Sequence, residues 1–111
     1  MDRQDRRAAI AAYKERKPAF GVYAVICTAT GEAWVGCSRH VDTRQNGLWF
    51  GLKLGTSPHA SLQAAWRAYG EHAFRFEELE RLRDDVPEIA RLGELKKRQA
   101  LWRSRLKAEA L

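Results

Sequence analysis

The chain has 111 residues, of which 45% are hydrophobic, 10% aromatic and 31% charged, with a formal net charge of +6. That length is one domain's worth and supplies one modest core. No apolar run approaches the ~20 residues of a membrane span, and the N-terminal "MDRQDRRAAIAAYKERK" lacks the apolar centre and cleavage pattern of a secretory signal, so a cytoplasmic protein without membrane contact is expected.

Taken in chain order, residues 3–16 read as an alanine-rich, charged helix with Ile10 and Tyr13 on one face. Pro18 ends it, because proline disfavours helical geometry at Lys17. A basic helix over 1–18 and a compact unit over 19–111 are the expected divisions. From Ala19 to Cys27 both faces are apolar, as in a central strand covered on two sides. "TATGE" supplies a turn and "AWVGC" returns as a second strand. With the turn near residues 29–30, Tyr23 faces Gly36 and Val25 faces Trp34. Tyr23 and Trp34 then share a sheet face, and Gly36 leaves room over the tyrosine, whose phenol is expected to lie uncovered. Cys27 falls opposite about residue 32, away from Cys37, which argues for two buried free thiols rather than a disulfide.

"HVDTRQNGLWFGLKLG" predicts a helix capped by Asp42, weakened by Asn46-Gly47. "TSPHASLQAAWRAYG" predicts a better one, capped by Ser57, with Leu62, Ala65, Trp66 and Tyr69 on one stripe and Gly70 as its stop. "AFRFEELERL" alternates as a third strand with one solvated face. From Asp85 as cap, a last helix carries an apolar stripe of Leu92, Leu95, Trp102 and Leu106, and the same stripe includes Glu88 and Gln99. The predicted class is α+β: a small three-stranded, largely antiparallel sheet flanked by helices in the order α-β-β-α-α-β-α.

"GVY" at 21–23, then "WVG" at 34–36, then Ser38 and Arg44 within "WVGCSRHVDTR", resemble the GIY-YIG nuclease family. "GTSPHASLQAAWRAYGEHAFRFEELERL" extends the likeness toward the last helix, so that it spans 19 to about 108. The resemblance implies an endonuclease that hydrolyses phosphodiester bonds of DNA or RNA with one Mg²⁺ or other divalent cation. It places Tyr23 on the attacking water, Arg44 on the scissile phosphate, Trp34 at the second motif tyrosine and Gly36 in the motif's closing glycine. The family's metal-binding glutamate lies on the last helix. An alignment anchored on Trp102 puts Gln99 there, and an amide is a poor ligand for a hard dication; Glu88 and Glu94 are the remaining candidates. The alternative is a nucleic-acid-binding module on the same fold with weakened catalysis. No protein partner is predicted.

The charge distribution agrees with a nucleic-acid partner. Residues 1–17 carry six basic and three acidic side chains, residues 91–111 seven and two, and residues 71–90 three and seven. Ser38, Arg39, Lys96, Lys97, Arg98 and Arg103 are the expected phosphate contacts. His40 and His59 are read as surface residues. Glu77, Glu78 and Glu80 are read as a solvated edge, with Glu78 and Glu80 on one side of the strand.

Overall fold

A computed structural model describes residues 19–111; the helix expected over 3–16 lies outside them. The sheet is built around β1 (Gly21–Cys27), which pairs antiparallel with β2 (Ala33–Ser38) on one side and with β3 (Phe74–Arg81) on the other. A two-residue strand, β4 (Glu109–Ala110), adds to the free edge of β2 in parallel, giving the order β3-β1-β2-β4. The α+β class is as expected, but the sheet has four strands rather than three. A two-residue strand at a chain end carries no alternation that would announce it.

The hairpin register is the predicted one, with Tyr23 opposite Gly36 and Val25 opposite Trp34. The double-sided apolar character of β1 builds two cores. Tyr23, Val25 and Cys27 join Trp34 and Phe74 on one face, while Val22 and Ala24 join Phe20 and Val35 on the other. Cys27 and Cys37 consequently lie in different cores, on opposite faces of the sheet, and both are free thiols. Burial pushes the half-buried Cys37 thiol up, against the smaller opposing effect of Lys96.

The Tyr23 face is covered by α1 (Arg44–Leu54) and α2 (Ala60–Tyr69). Leu48 and Leu52 are the buried residues of α1, and Trp49 stands edge-on to Trp66 of α2 and to Phe76 of β3, at 5.5 and 6.1 Å between ring centroids. Gln63 of α2 is buried, and its Nε2 donates to the Leu52 carbonyl of α1 at 3.1 Å. That carbonyl, near the end of α1, also accepts from the Gly55 N–H at 3.2 Å, so the amide adds a second donor to it. Gly70, at φ 81°, stops α2 as expected. The expected caps are not the observed ones: Thr43 and His59 precede the two helices, neither with a side-chain cap bond. Ser57 instead accepts from the His59 N–H at 3.3 Å, which forms a turn ahead of the helix.

The opposite face is covered by α3 (Glu88–Leu106), which begins after Pro87 rather than at Asp85. Leu95 is buried and Trp102 half-buried against the sheet, but Leu92 and Leu106 are exposed. The helix has 19 residues and is about 28 Å long. Only the central part of the predicted stripe packs. Lys107 then takes a left-handed conformation, φ 51°, and turns the chain into β4.

Candidate active site

The site grows from the crossing of β1 and β2. A Cβ built on Gly36 would stand 2.5 Å from the Tyr23 Oη and 2.6 Å from its Cζ, so the phenol lies across the glycine and only a residue without a side chain fits beneath it. On its other flank the ring stacks on Phe76 of β3, 5.1 Å between centroids at 18°. Tyr23 is only 2% exposed, contrary to the expectation of an uncovered phenol. The glycine does make room, and the ring fills that room itself.

Arg44 opens α1 half-buried, and its Nε donates to the Tyr23 Oη at 3.5 Å. The fold therefore brings the two residues together although 21 positions separate them. The phenol oxygen accepts from the guanidinium, so its own O–H is free to donate elsewhere. His59, at the position preceding α2, belongs to the same neighbourhood. Partial burial, and secondarily the Arg44 charge, hold its imidazole below the usual histidine range. Reading from sequence set this histidine aside as a surface residue, and no local motif distinguishes it; only the packing of α2 beside α1 brings it within reach of the Arg44 charge.

Trp34 is buried at 1% exposure, and its Nε1–H donates to Glu109 Oε2 at 2.9 Å and to Ser61 Oγ at 3.0 Å. The indole at the second motif position is thus engaged by β4 and α2. Ser38 is half-buried and accepts from the His40 N–H at 3.0 Å, which assigns it to the turn after β2. Arg39 is exposed, with its guanidinium 5.7 Å from the Phe20 ring centroid.

Gln99 does point inward, and its amide is taken up by the chain itself. Its Nε2 donates to the Val35 carbonyl at 2.9 Å and to the Leu111 carbonyl at 3.3 Å, and its Oε1 accepts from Cys37 Sγ. The amide is committed on both ends to the edge of β2, and the position does not fit a carboxylate-held cation. Glu88 is exposed at the start of α3, and Glu94 pairs with Lys97 and Arg98, each at 3.7 Å. Among the described residues no three histidine, cysteine, aspartate or glutamate side chains gather as metal ligands would.

The expected phosphate track along α3 is partly neutralised from within. Arg98 is also paired with Glu80, while Lys96 and Arg103 are exposed. Glu80 accepts in addition from Trp102 Nε1 at 3.0 Å, so it belongs to the α3 side. A register shift between Val22 and Tyr23 sets Glu80 opposite Val22 and Glu78 opposite Tyr23. The bulge therefore separates two glutamates that strict alternation would have put on one side. Glu78 is held instead by Arg81, at 2.7 and 3.0 Å.

No protein-family model and no curated protein matches the chain. Among solved structures, the catalytic domain of homing endonuclease I-TevI superposes with a TM-score of 0.69 at 17% identity, covering 83% of this chain and 97% of that one. A mutant of the same catalytic domain of intron endonuclease I-TevI gives 0.67 at 19% identity, covering 80% and 84%. No helix among the described residues is long and apolar enough to cross a membrane. A sheet centred on "GVY" and "WVG", with Tyr23 laid over Gly36 and Arg44 beside it, is thus carried on the GIY-YIG fold of the I-TevI catalytic domain.

Proposed function

We propose that the protein is a small endonuclease that hydrolyses phosphodiester bonds in nucleic acid, with Arg44, Tyr23 and His59 as its working residues. The observation that carries this reading is the Arg44–Tyr23 contact over Gly36 on a fold shared with a nuclease catalytic domain.

The chemistry follows from the donors present. Arg44 spends its Nε on Tyr23 and keeps its terminal N–H groups for the non-bridging phosphate oxygens, where a planar guanidinium donates in pairs. Tyr23 supplies one O–H donor to the phosphate or to the attacking water. His59, whose imidazole burial and the Arg44 charge hold below the usual histidine range, is the residue proposed to take the proton that the water loses as its oxygen attacks phosphorus. The P–O bond to the leaving oxygen breaks, and that oxygen takes up a proton from solvent. The family's divalent cation would act as a Lewis acid on the developing charge, but the Gln99 amide, committed to main-chain carbonyls, does not fit it.

A second reading, a binding module without efficient cleavage, is favoured by one observation. The last-helix position at which the resemblance expects a metal-binding glutamate holds an amide committed to structure. The test is to incubate the protein with labelled single- and double-stranded DNA and RNA, with Mg²⁺, with Mn²⁺ and with chelator. Cleavage that Arg44→Ala abolishes establishes the nuclease. Binding without cleavage in every condition establishes the module, and absence of both removes the nucleic-acid reading.

A further inference from the structure

The apolar residues of α1 fall on two sides of the helix. Leu48 and Leu52 are buried and Trp49 is half-buried against the sheet. Phe50, by contrast, is 66% exposed, and Leu54, one turn on, is 60% exposed. Neither belongs to either core, so packing gives no account of the ring.

The surface that carries it is free of acid. Residues 43–70, which span α1 and α2, hold Arg44, Lys53 and Arg67 and no aspartate or glutamate, in a chain with fourteen of them. Lys53 is paired with Glu71, just beyond α2, at 3.1 Å. Arg44 and Arg67 make no ion pair among the described residues. The basic side of α3 is different, because Glu80 and Glu94 sit against Lys97 and Arg98. A field of one sign around an exposed aromatic ring complements a polyanion whose bases can stack.

Arg44 links the ring to the catalytic pair. A Cβ built on Gly47 would meet Arg44 Nη1 at 3.6 Å and nothing else within 4 Å. The guanidinium therefore reaches along the helix as far as Gly47, over which no other group stands. Gly47 and Phe50 are three residues apart on the helix surface, with Cβ positions about 5–6 Å from each other. The ring thus begins roughly 10 Å from the end of the arginine that would hold the scissile phosphate. About three 3.4 Å rises along one strand cover that distance.

We propose that Phe50 is a base-stacking residue, and that the α1 face takes an unpaired nucleotide about three positions from the scissile bond. A paired base has both faces covered by its neighbours, so the ring favours single-stranded or locally opened nucleic acid over intact duplex. The distance to the scissile bond rests on the nuclease reading; the stacking does not.

The test compares wild type, Phe50→Ala, Phe50→Leu and Phe50→Tyr, each as the full chain. Affinity is read by fluorescence anisotropy for a labelled single strand, as DNA and as RNA, and for the blunt DNA duplex. Circular dichroism checks folding, and sedimentation gives the oligomeric state. Loss of the ring is expected to weaken single-strand binding roughly tenfold in both the alanine and the leucine variant. Duplex affinity should stay within about twofold, and Phe50→Tyr should bind as the wild type does. A folded Phe50→Ala protein with unchanged single-strand affinity overturns the proposal. So does an equal loss on single strand and duplex, or full retention by Phe50→Leu, which would make the contact apolar rather than stacked. A wild-type dimer that Phe50→Ala dissociates also overturns it, by showing that a second copy covers the ring. Cleavage by wild type with single-strand affinity indifferent to Phe50 leaves the nuclease and removes the stacking residue. A selective tenfold loss without cleavage in any condition keeps the stacking residue and removes the nuclease.

Discussion

Replacing Gly36 with alanine tests the architecture of the site at a single atom. The added Cβ would meet the Tyr23 Oη at 2.5 Å and Cζ at 2.6 Å, where ordinary contact begins near 3.4 Å, so the ring must retreat by nearly 1 Å. Retreat is blocked by Phe76, stacked on the flank toward β3. Overpacking of this kind costs about 1–3 kcal/mol, and the blocked exit puts this case in the upper half. The loss of glycine's freedom in the unfolded chain returns about 0.4–1 kcal/mol, which leaves about 2 kcal/mol of destabilisation. With a urea m-value of about 2 kcal/mol/M, the unfolding midpoint should fall by about 1 M at unchanged m. In a cycle with Tyr23→Ala, the cost of Gly36→Ala should largely vanish, because the ring it strikes is gone. A Gly36→Ala protein with an unshifted midpoint, or a cost that persists without the ring, would refute the placement of the phenol over the glycine.

Gln99→Glu puts a carboxylate against the Val35 and Leu111 carbonyls; it should cost about 1–3 kcal/mol at neutral pH and recover on acidification, when the protonated acid can donate again, as urea midpoints at pH 7 and pH 4 would show. Lys107→Gly relieves a left-handed non-glycine residue and should raise stability by about 1 kcal/mol, read as an upward shift in Tm. Glu80→Gln removes the partner of Arg98 and weakens the acceptor for Trp102; a loss of about 1–2 kcal/mol is expected in chemical denaturation. His59 titrates below its unfolded value, so between its folded pKa and about 6.5 the unfolded chain binds the extra proton. Stability should rise with pH through that window and level off above it, a slope that His59→Gln should remove from a plot of Tm against pH.

The hairpin register was readable because its turn lies between two apolar runs and period-two alternation leaves little choice of pairing. The proximity of Tyr23 to Arg44 was readable only through the resemblance, since no local rule joins residues 21 positions apart. Three features were hidden for different physical reasons. Glu80 changes sides because a bulge breaks strict alternation, and bulges leave no mark in a run such as "EELER". Gln99 stood on the buried stripe without visible partners, because its partners are main-chain carbonyls, which a sequence does not display. The bond from Trp34 to Glu109 depends on a two-residue strand whose pairing is a tertiary event.

The two borders of the sheet bear on how the protein keeps to itself. A sheet edge offers unpaired N–H and carbonyl groups to any passing strand, including that of a second copy. Along β3 that risk is met by charge and irregularity, with Arg75 against Glu77, Arg81 against Glu78, and the bulge opposite Val22 and Tyr23. The β2 border has no such charges: its sequence is "AWVGCS", rich in β-forming residues. Its protection is β4, bridged at Trp34 and Val35 and continued by the Leu111 N–H. The few residues that hold Glu109 in place also stand between this border and self-association. A chain in which β4 cannot dock would present one of its most adhesive strands to its neighbours.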